Sequence, residues 1–386
     1  MDIIEIDKAF VANTYARSPL VATSGSGAVI RDENGKELID LGSGIGVNCF
    51  GACDDEWVNA VETQLHKLQH ISNLYYTEPQ TELAKLLCEK TDMKKVFFGN
   101  SGAEANECAI KCARKYSSDK YGAGRSTIIT LDNSFHGRTL ATLSATGQDS
   151  LHVHFAPFLE GFKYAPANDF AALETLCDGA VCAVMLEIVQ GEGGVIPLDK
   201  DYVEKIAKLC TDKDILLIID EVQTGNGRTG TLYAYMQFGL TPDIVTTAKG
   251  LAGGLPLGCA MLGDKVKDTM TAGTHGSTFG GNPICAAGAL NILSRLDETL
   301  MAEVIKKGEY IKAELSCAKG VKSVTGLGLM LGIETERDAK IIAAECLEMG
   351  IIVLTAKTKV RLLPPLNIKQ EELEKAIQIL KGVIAQ

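Results

Sequence analysis

Ile215-Leu216-Leu217-Ile218-Ile219-Asp220-Glu221-Val222-Gln223 sets five apolar residues in a row before a pair of acids. An unbroken apolar run of this length reads as a strand covered on both faces, as in the parallel sheets of α/β proteins. Asp220 then falls at the carboxyl end of the strand, the edge at which open α/β sheets bind ligands. Alternation along the strand puts Asp220 and Val222 on one face and Glu221 on the other. A second run, Ile244-Val245-Thr246-Thr247-Ala248-Lys249, ends in a lysine followed by the glycine-rich Gly250-Leu251-Ala252-Gly253-Gly254. A lysine just past a strand can simply be a surface residue. At a buried strand end, however, an unpaired ammonium is costly unless the amine is put to use.

Schiff-base formation with a carbonyl cofactor such as pyridoxal phosphate is one such use. That cofactor makes two further demands, and the chain has candidates for both. Its pyridine nitrogen needs an anion, which Asp220 would supply while Val222 packs under the ring and Gln223 reaches the phenolic oxygen. Its phosphate needs free backbone N–H groups. Gly99-Asn100-Ser101-Gly102-Ala103-Glu104 follows the short strand Val96-Phe97-Phe98. Ser101 with Glu104 three residues later is a capping box that opens a helix over residues 105–115. The amides and dipole at such a helix start suit a phosphate.

Strand-like runs at 96–98, 128–131, 183–186, 216–219 and 244–247 alternate with helical patterns at 83–90, 104–115 and 202–210. That alternation implies βαβ units and a mostly parallel sheet, whose carboxyl edge would collect the residues above. Thr77-Glu78-Pro79-Gln80 is a further helix start, with proline in the first turn. After Pro283 the pattern changes to a long helical stretch over 284–318, strands near 321–324 and 329–333, and a helix over 338–349. Strands at 351–354 and 360–363 and a helix over 370–383 follow. The expected division is an N-terminal segment (1–50) with a hairpin across Asn34-Gly35, a large domain (51–283) and a small α/β domain (284–386).

The chain has 386 residues with a net charge of −11 and no basic cluster, which disfavours nucleic-acid binding. Neither a signal peptide nor an apolar run of eighteen residues is present, so a soluble, cytoplasmic protein away from membranes is expected. Twelve cysteines are scattered without any Cys-x-x-Cys pair, and they read as reduced core hydrophobes. Cys108 and Cys112, one turn apart, are expected to share a packing face, and no metal site is expected from them or from His152-Val153-His154.

Asn100-Ser101-Gly102-Ala103-Glu104-Ala105-Asn106-Glu107, Phe135-His136-Gly137-Arg138-Thr139, Asp220-Glu221-Val222-Gln223-Thr224-Gly225, Ala248-Lys249-Gly250 and His275-Gly276-Ser277-Thr278-Phe279-Gly280-Gly281-Asn282-Pro283 form an ordered set. Together they resemble the class III pyridoxal-phosphate aminotransferases. Ser72-Asn73-Leu74-Tyr75-Tyr76 and Gln190-Gly191-Glu192-Gly193-Gly194-Val195-Ile196-Pro197 narrow the likeness to the branch that takes N-acetylornithine. The match runs from about Tyr15 to the C-terminus. It implies the fold-type-I arrangement: a seven-stranded, mostly parallel sheet between helices, with the N-terminal segment packed on a small α/β domain.

The resemblance also implies roles. Lys249 would hold the cofactor and then act as general acid and base. Ser101, Gly102 and Ala103 would bind phosphate, and Phe135 would stack on the ring opposite Val222. Asp220, Glu221 and Gln223 would complete the cofactor's contacts. Thr278 would reach the phosphate bound in a second subunit, making an obligate homodimer with shared active sites. Tyr15, Arg138 and Ser277 would contact substrate, with Arg138 gripping a carboxylate of N-acetylornithine. Arg361 would take the α-carboxylate of 2-oxoglutarate, and Glu192 would neutralise it while the first substrate is bound. The products would be N-acetylglutamate 5-semialdehyde and glutamate, a step of arginine biosynthesis. Ornithine, 4-aminobutyrate or succinyldiaminopimelate aminotransferase, or an aminomutase of the same class, stand as alternatives. Relatives often have Glu-Pro where this chain has Glu187-Ile188, which is expected to loosen the loop carrying Glu192.

Gly225-Asn226-Gly227-Arg228-Thr229-Gly230 matches the glycine spacing of a dinucleotide-binding turn. That fingerprint requires an acid at the end of the next strand, and the next strand ends in Lys249. Four residues also separate the glycines from the preceding strand, so a dehydrogenase is the weaker reading. A non-catalytic relative is weaker too, since Lys249, Asp220 and both arginines are intact.

Overall fold

A computed structural model describes residues 2–386. Seven apolar runs pair into one sheet: β1 (Lys95–Gly99), β2 (Thr127–Leu131), β3 (Phe162–Ala165), β4 (Val181–Leu186), β5 (Leu216–Asp220), β6 (Ile244–Thr247) and β7 (Gly258–Leu262). Their spatial order is β1-β7-β6-β5-β4-β2-β3. Only β7 runs against the others, pairing antiparallel with both β6 and β1. Every residue of β4, β5 and β6 is buried, as the unbroken apolar runs require of strands covered on both faces. Parallel pairing sets Asp220 beside Thr246, so the ends of β5 and β6 arrive together.

Helices supply the cover. The Gly102–Tyr121 helix turns Ala105, Cys108, Ala109, Cys112 and Ala113 onto one face of the sheet. Burial pushes the Cys108 and Cys112 thiols up to about 12, so both sit as inert small hydrophobes. The Glu78–Thr91 helix starts with Thr77 and carries proline in its first turn. The Lys200–Asp212 helix buries Val203, Ile206 and Leu209. Among the described residues no helix is long and apolar enough to cross a membrane.

The two ends of the chain build smaller sheets. Ala22–Ser26, Val29–Asp32 and Glu37–Asp40 form an antiparallel set, with Gly35 at φ 79° in the turn before the last strand. Ile351–Ile352 joins that set in parallel, pairing Ile351 with Ile39, so N-terminal residues complete a sheet with the C-terminal segment. Val321–Leu327, Met330–Thr335, Lys359–Leu362 and Leu354–Ala356 make a second, antiparallel sheet. The single strand expected over 351–354 is therefore two strands in two different sheets. The long helix expected over 284–318 is likewise two, Pro283–Arg295 and Glu298–Ser316. Asp297 sits between them with extended backbone and accepts the Leu300 N–H at 2.8 Å, capping the second helix. The apolar period runs through the break, so this short polar signal was the only one available.

Candidate active site

The carboxyl ends of β1, β2, β4, β5 and β6 open onto one cavity of about 460 Å³. Lys249 enters it one residue beyond Ala248, at φ 46°, a left-handed conformation that costs energy for a residue with a side chain. Among the described residues no hydrogen bond or ion pair claims its amine. Burial lowers the Lys249 pKa, Glu192 and Asp220 resist the shift, and Arg361 adds to it. A half-buried, unpartnered amine of depressed pKa is the state a nucleophilic lysine needs.

Asp220 projects from the end of β5 and is nearly sealed from solvent. Its Oδ2 accepts Asn106 Nδ2 and His136 Nδ1, each at 2.8 Å, and its Oδ1 accepts the Val222 N–H at 3.0 Å. Burial opposes charge on His136, but the hydrogen bond to Asp220 and the nearby Glu187 outweigh it and hold the pKa above the ordinary histidine value. Glu187, at the end of β4, is itself raised to about 7 by burial, with His136 pulling the other way. It accepts the Phe135 N–H at 2.9 Å and so anchors one cavity wall to another.

At the phosphate end, Ser101 caps the Gly102–Tyr121 helix, its Oγ accepting the Glu104 N–H at 3.2 Å. Glu104 reaches back to the Asn100 N–H at 2.8 Å, one residue earlier than a regular capping box. The Gly102 and Ala103 N–H groups lie in the first turn, where no intrahelical acceptor exists. A Cβ on Gly102 would lie 2.6 Å from Val222 Cγ1, so only glycine lets helix start and Val222 close on one space. Val222 and Phe135 both line the cavity. A free amine, an acid held by three donors, an apolar slot and a capped helix start match the aldehyde, pyridinium, ring and phosphate of pyridoxal phosphate.

Gln223 continues the wall toward a charge pair of buried Arg361 and half-buried Glu192. Its Nε2 donates to Glu192 Oε1 at 3.1 Å, and its Oε1 accepts Arg361 Nη1 at 3.2 Å. Arg361 Nη1 also donates to Glu192 Oε1 at 2.5 Å, and Arg361 is 3% exposed. Burial works against ionisation of Glu192, but the Arg361 charge prevails and lowers its pKa. Arg138, by contrast, lies over the Phe135 ring at the exposed mouth, 5.4 Å from its centroid, and no acid among the described residues pairs with it. Ile188 is fully buried, and its carbonyl accepts the Leu198 N–H at 2.9 Å. Val189–Gln190 pairs with Ile196–Pro197 just beyond it, so the loop with Glu192 is stapled at its base.

Four of the named residues do not line this chain's own cavity, and for Thr278 the expected contact is to a second subunit. Glu221 points away from the cavity, as strand alternation demands, and accepts Thr224 Oγ1 at 2.5 Å and the Tyr235 N–H at 2.8 Å. Ser277 lies outside the cavity, where its Oγ accepts Asn100 Nδ2 at 3.2 Å. Thr278 is exposed, and Tyr15 is 70% exposed beside Arg17. Conversely, Asn106, His136 and Glu187 have no role in the sequence reading, although all three lie within or beside the quoted motifs. Their signal was a polar residue where the neighbouring pattern demands burial.

The class-III aminotransferase family model matches residues 10–384. The chain is 52% identical to the acetylornithine aminotransferase of Haemophilus ducreyi, over 100% of this chain and 98% of that one. Among solved structures, an N-acetylornithine aminotransferase from Stenotrophomonas maltophilia superposes with a TM-score of 0.87 at 36% identity, covering 99% of this chain and 98% of that one. An ornithine aminotransferase from Toxoplasma gondii, with PLP partially occupying its active site, reaches 0.94 at 31% identity over 99% and 93%. The chain belongs to the class-III aminotransferases, the pyridoxal-phosphate-dependent family.

Proposed function

We propose that the protein transfers the terminal amine of N-acetylornithine to 2-oxoglutarate, as a step of arginine biosynthesis. A free Arg138 beside an Arg361 masked by Glu192 supports a donor with one carboxylate and a distal amine, and the likeness to acetylornithine aminotransferases supports N-acetylornithine among such donors. A donor with a single carboxylate next to its acylated nitrogen binds Arg138 through a bidentate fork and leaves its distal amine at Lys249. 2-Oxoglutarate has a carboxylate at each end, so it engages Arg138 and displaces Glu192 from Arg361. Pyridoxal phosphate supplies an electron sink and stores the amino group between the two halves of the reaction.

The residues do the rest. Lys249 Nζ would hold the cofactor and, as a free amine, would move the proton at the carbon bearing the substrate amine. Asp220, oriented by Asn106 and His136, holds a proton at the ring nitrogen. Gly102 and Ala103 N–H groups take the phosphate.

The active enzyme is proposed to be a homodimer. Leu74, Tyr75, Tyr76 and Phe279 are 59–101% exposed on this chain, a large apolar surface for a monomer to leave in water. Thr278 lies within this surface's sequence neighbourhood, ready to serve a second chain's phosphate. The test is glutamate formation from 2-oxoglutarate with N-acetylornithine, ornithine, 4-aminobutyrate and succinyldiaminopimelate as donors. N-acetylornithine is expected to give the highest kcat/KM; a higher value for ornithine or 4-aminobutyrate overturns the donor assignment.

A further inference from the structure

The glycine-spaced loop Gly225-Asn226-Gly227-Arg228-Thr229-Gly230 spans the distance between Lys249 and Arg361. Asn226 is buried, and its Nδ2 donates to Thr247 Oγ1 and to the Ala248 carbonyl, both at 3.0 Å. These bonds grip the backbone immediately before the left-handed Lys249. Two residues on, Arg228 is 1% exposed and has no carboxylate partner among the described residues. Its Nη1 donates to the Leu329 carbonyl at 3.2 Å and the Pro364 carbonyl at 2.5 Å, while Nε and Nη2 have no partner. Pro364 closely follows Arg361, and Leu329 immediately precedes the strand whose Gly332 pairs with Arg361.

Burial pulls the Arg228 pKa down to about 10, which still leaves a cation at neutral pH. A buried cation without a counter-ion packs no better than an apolar residue of similar size, so filling space does not explain it. The glycines clamp the loop to the C-terminal segment. At Gly227, φ 86°, a Cβ would lie 3.0 Å from Leu366 Cδ1, and at Gly230, φ 93°, it would run into Ile305.

We propose that Asn226 and Arg228 are positioning residues, and that their loop is a strut fixing the separation between the Lys249 turn and the segment carrying Arg361. The inference rests on the roles given above to those two residues. The strut would set where the amine and the far carboxylate site stand relative to one substrate molecule.

The test compares wild-type holoenzyme with Asn226→Asp, Arg228→Met and Arg228→Lys. It measures the pH midpoint of the bound cofactor's visible absorbance together with kcat and both KM values. Asn226→Asp keeps the shape but loses the donors. It is expected to move the midpoint by about one pH unit and lower kcat about tenfold, with KM for 2-oxoglutarate unchanged. Arg228→Met is expected to raise KM for 2-oxoglutarate about tenfold and leave the midpoint in place, and Arg228→Lys to show a smaller rise. If the methionine variant does not fold, the lysine variant carries that arm. Variants that are less heat-stable but keep the wild-type midpoint and KM ratio overturn the strut. A wild-type protein with no visible band after cofactor addition removes the assignment beneath it.

Discussion

The floor of the cavity and its rim are made in opposite ways. The floor is assembled from strand ends of one sheet, where a buried Asp220, a half-buried Lys249 and the Gly102 helix start meet within one chain. Tyr15, Ser277 and Thr278, which the family likeness assigns to the rim, stand on loops outside the cavity, and two of them are exposed. A buried strand end dictates the environment of its side chain, because parallel pairing and period-two alternation leave one direction open. An exposed loop residue takes its environment from whatever arrives, and for Thr278 that is proposed to be a second chain.

The sharpest way to break this contrast is at the floor. Lys249→Ala is expected to lower turnover about a thousandfold or more while the far-UV circular dichroism stays that of the wild type. Retained turnover would mean that the strand-end amine is not the reacting group. Glu192→Ala unmasks Arg361 and is expected to improve use of α-amino donors such as glutamate about tenfold, read as the ratio of kcat/KM values. Unchanged donor preference in that variant defeats the masking role.

The rim is tested by concentration. Thr278→Ala is expected to weaken cofactor retention about tenfold, measured by equilibrium dialysis, with the sheet's stability untouched. If the variant holds the cofactor as tightly as the wild type, the shared-site proposal loses its main residue.

A smaller effect separates the two acids that close β5. Glu221 is pushed up to about 7 by burial, with the Thr224 hydroxyl and two backbone N–H groups opposing. Its folded pKa thus exceeds the unfolded one, so its stability contribution is complete below the unfolded pKa and fades as pH rises through about 7. Glu221→Gln should therefore gain in Tm relative to wild type on going from acid to neutral pH; parallel curves would show that the carboxyl is not what titrates. Smallest of all, Ser101→Ala removes the helix cap and is expected to cost about 1 kcal/mol in urea unfolding.

The legible part of the molecule follows the same division. β5, β6 and the Gly102 helix start are plain in the sequence because each is a local pattern with its chemistry at the end. The pairing of Arg361 with Glu192, 169 residues apart, came from family likeness alone, since no local pattern joins them. Glu221 was placed with the cofactor by that likeness although alternation along the strand already put it on the other face. The break at Asp297 and the sheet switch after Ile352 were hidden because apolar period continues through both, and only tertiary pairing separates the pieces. The Gly225–Gly230 loop imitated a dinucleotide turn because close backbone approach demands glycine whatever comes close. In this protein it is the C-terminal segment.

The most direct measurement is the visible absorbance of the purified protein with pyridoxal phosphate, titrated first with N-acetylornithine and then with 2-oxoglutarate. The expected result is a band that bleaches with the first, returns with the second, and does not cycle in Lys249→Ala. A protein with no visible band, or one whose band bleaches and returns unchanged in Lys249→Ala, would contradict it.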